Sequence, residues 1–368
     1  MTQKPTKWLC PEWLFVEDRL QSGLAIGLAD DGRVVELRSA AEVSGGVALT
    51  GIVAPGLLDL QVNGGGGVLL NAEPSAQGMI RIAAAHRAQG TGAIFPTLIS
   101  DEPQVMDAAV SAAIETRGAR EIAGIHLEGP HLDPRRRGTH QGRFMRPVDA
   151  HTLRAIERLR GADIPALVTL APEMATSDDI HALCEMGAVV SLGHSGCDFD
   201  TAIAAFDAGA SAVTHLFNAM APPHHRAPGL AGAALSRGVA AGLICDGHHV
   251  HDAMCTMALR ASPRIFLVSD AMPTLGGPSH FSLQGDEITV QDGRLVNREG
   301  NLAGAHLALS WAAKRACYVL GFGPERALRA ALTEPAKLMG LEHLTRIEGR
   351  ARSDLVKFSE DLDYLGPL

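Results

Sequence analysis

Short apolar runs and longer amphipathic stretches alternate through the middle of the chain. The runs fall at 52–62, 93–98, 122–127, 166–170, 188–192, 212–215, 240–245 and 265–269, and are rich in Val, Ile, Leu and Ala. Segments of helical composition lie between most of them, such as 76–89, 105–116 and 199–208, the last closed by Gly209. Continuous apolar runs bounded by turn signals read as strands covered on both faces, as in a parallel sheet wrapped by helices. Eight such strands alternating with helices predict an α/β fold, a closed (β/α)8 barrel.

The two ends of the chain break this rhythm. Residues 24–38 read as a hairpin turning at Asp30-Asp31-Gly32, and 287–296 as another turning at Gln291-Asp292-Gly293. Helices are expected at 305–320 and 324–333, and a last short strand at 354–358. The early hairpin and the tail flank the barrel, so a small β-sandwich domain is expected from residues 1–50 and 341–368 beside a barrel of residues 51–340.

Composition narrows the functional classes. A net charge of -9 argues against nucleic acid or an anionic membrane as partner, and an anionic substrate would need a local cluster of cations. The six cysteines form no C-x-x-C pair and fit free thiols in a reducing cytosol. No run approaches the roughly 20 apolar residues of a membrane span. A cytoplasmic protein is expected.

Chemistry collects where the strands end. The third run ends in His126-Leu-Glu128, the fifth is followed by His194, the sixth ends in His215 and the eighth is followed by Asp270. In a parallel barrel these positions share one mouth. Glu128, His194 and His215 would offer one carboxylate and two imidazoles, and three protein ligands with an open fourth position is the arrangement of catalytic zinc. Asp270, arriving from another side, would serve as the base for a water whose pKa the metal lowers to about 7. Iron, cobalt or manganese could occupy the same ligands.

The chain resembles the amidohydrolase superfamily and, within it, the N-acetylglucosamine-6-phosphate deacetylases. The resemblance spans about residues 51–340 and rests on APGLLDLQVNGGGG, GIHLEGPHL, RRRGTHQGRF, SLGHS, VTHLFNAM, APGLAGAAL, ICDGHHV, LVSDAM and GNLAGA. It implies a TIM barrel with a small β-sandwich, and hydrolysis of the acetamide of N-acetylglucosamine 6-phosphate in amino-sugar catabolism. Glu128, His194 and His215 match its metal ligands, Asp270 its catalytic acid/base, and His140 a residue beside the acetamide. Asn218 and Ala219 match positions whose backbone meets the sugar phosphate. Arg226 and His249 match the phosphate-binding pair, the arginine being one that a neighbouring subunit of a homodimer can contribute. Most amidohydrolases carry His-x-His on the first strand and bind two metals. Gln61 and Asn63 stand there instead, as in a single-metal branch, so one divalent metal is expected. Ala305-His306 replaces the usual Ser-Ala, and the chain ends early.

Other residues have plainer readings. Gly64–Gly67 lacks the Lys-Ser/Thr of a P-loop and reads as a tight turn. The arginines at 135–137 read as a solvated run, His126 as a core group, and Asp59 as support for the first-strand loop. Asp246 reads as a turn residue, with support of a site residue as its lesser reading, and Cys197 and Cys245 as buried thiols. His131, His224, His225, His248 and His251 are placed on the rim. The rivals are a deacetylase of N-acetylgalactosamine 6-phosphate or another N-acyl sugar, and an inactive barrel that binds a sugar phosphate.

Overall fold

The computed structural model describes residues 4–300 and 302–368. Asn301, inside the GNLAGA run, lies outside the described residues. Eight parallel strands follow in order around the barrel: β1 Leu57–Val62, β2 Thr91–Ile99, β3 Ile125–Glu128, β4 Ala166–Leu170, β5 Val189–Leu192, β6 Ala212–Val213, β7 Ala240–Leu243 and β8 Ile265–Leu267. A parallel bridge between Val62 and Ala271 joins the first strand to the segment leaving the last. Gln61 O and Ala271 O, accepting from Asp270 N and Asn63 N at 3.0 and 2.9 Å, tie that seam.

Every apolar run contributes a barrel strand, but the first run is two strands rather than one. Val47–Pro55 belongs to a separate sheet, and only Leu57–Val62 enters the barrel. The break falls at Gly56, where a side chain would lie 2.5 Å from Gly92 Cα. Only glycine permits that approach of the first two barrel strands. The sixth run is also shorter than its apolar pattern, because the chain leaves the sheet at Val213 and His215 lies beyond it.

Several of the helices that cover the barrel begin at a side-chain cap. Asp149, Thr176 and Asp198 accept hydrogen bonds from the first-turn amides of the helices Ala150–Gly161, Ser177–Glu185 and Phe199–Asp207. Thr176 and Asp179 form a reciprocal capping box. Each such cap is worth about 1 kcal/mol. The core is one continuous cluster of Val, Leu, Ile and Ala from strands and helices.

The chain ends build a seven-stranded sheet. Its main path runs Tyr364–Pro367, Leu355–Phe358, Val47–Pro55, Lys7–Val16, Leu24–Leu28, Val34–Ser39, and Arg19–Gln21 pairs with Lys7–Val16. Leu9, Leu14, Ile26, Val53 and Leu355 form its own small core. The hairpin expected near 287–296 gains a third strand, His280–Leu283. That sheet leans over the barrel mouth: Gln284 Nε2 donates to Ser100 O at 3.1 Å, and Gln141 Nε2 donates to Gln284 O at 2.9 Å. The expected helix at 305–320 starts only at Leu309 and runs through a π-helical turn, Arg315–Val319.

Candidate active site

Alternate residues of a strand face the same way. Glu128 and His126 on β3 therefore both enter the barrel, with Glu128 at the mouth. His194 and His215 follow β5 and β6, and Asp270 follows β8. All three have left-handed backbones, with φ of 48°, 29° and 51°. Such conformations are uncommon away from glycine and gather at functional sites, at about 1–3 kcal/mol each.

The three expected metal ligands meet. Glu128 Oε1 lies 3.1 Å from His194 Nε2 and 2.9 Å from His215 Nε2, and the two nitrogens are 3.0 Å apart. All three side chains are buried. His194 Nδ1 lies 2.9 Å from the carbonyl of Arg136, which can only accept. Nδ1 therefore carries a proton, which leaves Nε2 as the nitrogen that a metal would take. Fixing a tautomer through a carbonyl behind the ring is how proteins prepare a histidine for a metal. Burial opposes the charge of Glu128, but hydrogen bonds and charge from His194 and His215 hold its carboxyl well below the usual range. Burial likewise disfavours a charged His215, yet Glu128 raises its pKa. Three converging, buried electron-pair donors form a set that fits a divalent cation.

Gln61 and Asn63 connect this cluster to Asp270. Gln61 Nε2 lies 3.2 and 3.3 Å from the Glu128 oxygens and 3.1 Å from Asp270 Oδ1. Asn63 Nδ2 donates to the same Asp270 oxygen at 2.7 Å. Oδ1 is thus occupied, whereas Oδ2 has no hydrogen-bond partner among the described residues. Burial and then the charge of Glu128 push the Asp270 carboxyl up to about 6. A carboxyl poised there can both take and return a proton near neutrality.

His140 stands beside His194, with ring centroids 4.6 Å apart. The backbone N–H of Ser100 donates to its Nδ1 at 3.2 Å, so the ring proton lies on Nε2. Burial holds the pKa down at about 3, leaving a neutral donor. His249 is oriented by Asp246, whose Oδ2 lies 2.6 Å from His249 Nδ1 and whose Oδ1 accepts from His248 N and His249 N. Burial works against the charge of Asp246, but these hydrogen bonds bring its carboxyl to about 2. Asp246 is therefore more than a turn residue, although its place in a DGHH turn disguised that.

Glu128, His140, Asn218, Ala219, His249 and Asp270 all line one cavity of about 170 Å³. Arg226 does not line it. Its Nε lies 3.0 Å from His225 Nε2 on an exposed turn. His306 bonds Thr274 at 2.9 Å, and neither lines the cavity. His131, expected on the rim, is instead buried between Arg146 O and Thr152 Oγ1 at 2.9 and 2.8 Å. Arg135 is solvated as expected, at 76% side-chain exposure.

No protein-family model matches the chain. Individual relatives do. The chain is 36% identical over 319 residues to an N-acetylgalactosamine-6-phosphate deacetylase of Shewanella sp. (strain ANA-3), covering 85% of this chain and 80% of that protein. It is 36% identical over 308 residues to the human N-acetylglucosamine-6-phosphate deacetylase, covering 79% and 75% of the two chains. The chain belongs to the N-acetylglucosamine-6-phosphate deacetylase family. Members of known structure superpose throughout. The Pasteurella multocida deacetylase matches with a TM-score of 0.89 at 28% identity, over 98% of both chains. An Asp-to-Ala mutant of the Mycobacterium smegmatis deacetylase, in complex with N-acetyl-D-glucosamine-6-phosphate, matches with 0.90 at 30% identity, over 98% and 97%. As a member of this deacetylase family the chain is a hydrolase of the amidohydrolase superfamily, and its fold is the barrel with a small β domain that the alternation of runs predicts. Among the described residues no helix is long and apolar enough to cross a membrane.

Proposed function

We propose that this chain hydrolyses the acetamide of an N-acetylated amino-sugar 6-phosphate, N-acetylglucosamine 6-phosphate first among them, to the free amino sugar and acetate. The observation that carries this reading is the placement of Asp270 Oδ2, without a hydrogen-bond partner among the described residues, beside a buried Glu128–His194–His215 cluster and the neutral His140. A single divalent ion, with zinc the best match to one carboxylate and two imidazoles, would be held by that cluster and would supply Lewis acidity toward the amide carbonyl and the attacking water.

The chain's own residues account for the remaining steps. Asp270 Oδ2 takes the proton of the attacking water, while Oδ1 stays fixed by Gln61 and Asn63. His140 Nε2–H donates to the oxygen on which negative charge develops, a contribution of about 3–4 kcal/mol per donor in comparable sites. Asp270 then delivers its proton to the departing nitrogen. His249, its Nδ1–H held by Asp246, lines the cavity where the phosphate would sit, with the backbone at Asn218 and Ala219 alongside. Arg226 stands outside the cavity of its own chain, so its role requires a second copy. We therefore infer a homodimer in which it completes the phosphate site, in the cytoplasm, where phosphorylated sugars occur.

Relatives at similar identity act on the gluco and the galacto sugar, by their names. The deciding experiment measures acetate release from both epimeric N-acetyl hexosamine 6-phosphates, with metal content determined on the same preparation. Turnover that requires one bound ion per chain supports the proposal. Sugar binding without acetate release from either epimer would make the chain a binding protein instead.

A further inference from the structure

Below the cluster that faces the cavity lies a second polar layer inside the barrel. It consists of Thr97 on β2, His126 on β3, Thr169 on β4, Ser191 on β5 and Thr214 just after β6. Each is buried, with at most 4% of its surface exposed. Apolar side chains normally fill barrel layers, and a buried hydroxyl or imidazole is costly unless bonded. Here the five are bonded to one another. Thr97 Oγ1 lies 3.2 Å from His126 Nδ1, and His126 Nε2 lies 2.7 Å from Thr169 Oγ1. Thr214 Oγ1 lies 2.6 Å from both Thr169 Oγ1 and Ser191 Oγ.

Counting protons fixes the direction of the chain. Thr97 Oγ1 accepts from Val62 N at 2.8 Å and donates its only proton to Phe95 O at 3.1 Å. It must then accept from His126 Nδ1–H. His126 Nε2 is left as an acceptor, so Thr169 donates to it, Thr214 donates to Thr169, and Ser191 donates to Thr214. Each member donates once, and the series ends on a carbonyl. Reversed, the Ser191 hydroxyl would have no acceptor. The series cannot pass protons, because it ends on an amide oxygen and starts at a serine with no titratable partner. Its effect is geometric.

Three of the five strands it joins, β3, β5 and β6, carry the cluster. His126 is two residues before Glu128, Ser191 three before His194, and Thr214 is followed by His215. The packing leaves no slack: a side chain at Gly193, the residue before His194, would lie 2.9 Å from Thr169 Cγ2 and 3.0 Å from Thr214 Cβ. Strand β4 presents no member of the cluster, yet Thr169 stands at the centre of the series. Its carbonyl also accepts from Gly129 N at 3.0 Å, next to Glu128.

We propose that Thr97, His126, Thr169, Ser191 and Thr214 act together as positioning residues that fix the separation of Glu128, His194 and His215 and so set the affinity of that cluster for a divalent cation. This rests on the metal reading given above. The test replaces Thr169, on a strand that carries no ligand, by the isosteric valine and by serine. Metal-free protein is titrated with zinc in competition with a chromophoric chelator. Thr169→Val is expected to bind zinc at least about 10-fold more weakly, the scale found when groups that orient metal ligands are removed. Thr169→Ser, which keeps the hydroxyl, stays within about 2-fold of the parent. Equal affinity of the valine variant and the parent would overturn the proposal. Nitrogen-15 spectra of the unaltered metal-free protein provide a second measurement that needs no variant. They should show His126 neutral and protonated on Nδ1, and a proton on Nε2 would refute the series. A parent protein that binds no zinc while showing the Nδ1–H form would sink the metal reading and with it the link to metal affinity, leaving the hydrogen-bond series intact.

Discussion

Replacing Asn63 by leucine removes the shortest hydrogen bond to Asp270, at 2.7 Å from Nδ2 to Oδ1. That bond favours the carboxylate over the carboxylic acid, so losing it must raise the pKa of Asp270. A hydrogen bond to an ionised group is worth about 1.5–3 kcal/mol, and each pKa unit is about 1.4 kcal/mol, which gives about 1–2 units. Gln61 Nε2 still donates to the same oxygen at 3.1 Å, so the lower end, about 1 unit, is expected. Asp270 must be ionised to accept a proton. The acid limb of kcat/KM against pH, which reports groups of the free enzyme, should therefore move about 1 unit to higher pH. A bound dication lowers the absolute position of that limb in both proteins but leaves the difference between them. The assay follows acetate release with saturating metal across the acid and neutral range, for the parent and Asn63→Leu. Coincident acid limbs, or a shift to lower pH, would refute the assignment of Asp270 as the group that accepts the proton.

Three other outcomes follow from the same geometry. Asp270→Asn should keep the metal, which Glu128, His194 and His215 hold, while losing nearly all turnover; substantial residual activity with full metal content would remove Asp270 from the chemistry. Arg226→Ala should raise KM for the phosphorylated sugar far more than for the unphosphorylated one, and mixing it with an Asp270→Asn chain should restore phosphate affinity at one intact site if the arginine crosses between subunits. His86 is buried, and burial brings its pKa from 6.5 down to about 4. The unfolded chain therefore binds the extra proton in that window, and stability falls as pH drops from 6.5 toward 4, by up to about 3 kcal/mol. His86→Gln, which can still donate to Gly64 O, should lose less in urea midpoint on acidification than the parent, and equal losses would contradict this.

The barrel was legible because its strands are mainly apolar runs that alternate with stretches of helical composition. A break at Pro55-Gly56 could be read from the sequence, but that its two halves enter different sheets could not, since both are equally apolar. The metal cluster could be read from residue type at strand ends. The tautomers could not, because the carbonyl of Arg136 and the amide of Ser100 reach their histidines across about 58 and 40 residues of chain. His126 was readable as a core histidine, but its partners lay hidden within apolar runs, where a threonine looks like a valine. The work of Asp246 was masked by its resemblance to an ordinary turn residue.

The left-handed backbones of His194, His215 and Asp270 divide the mouth into two kinds of position. At these three sites a replacement must satisfy both the chemistry and a backbone that few side chains adopt. Gln61 lies within the first barrel strand and Asn63 just beyond it, and neither has a positive φ. There the backbone places no such restriction on the side chain. Variation in donor set within this architecture is accordingly cheap on the first strand and costly on the fifth, sixth and eighth, so that one seam of the barrel is free to change its chemistry while the others preserve it.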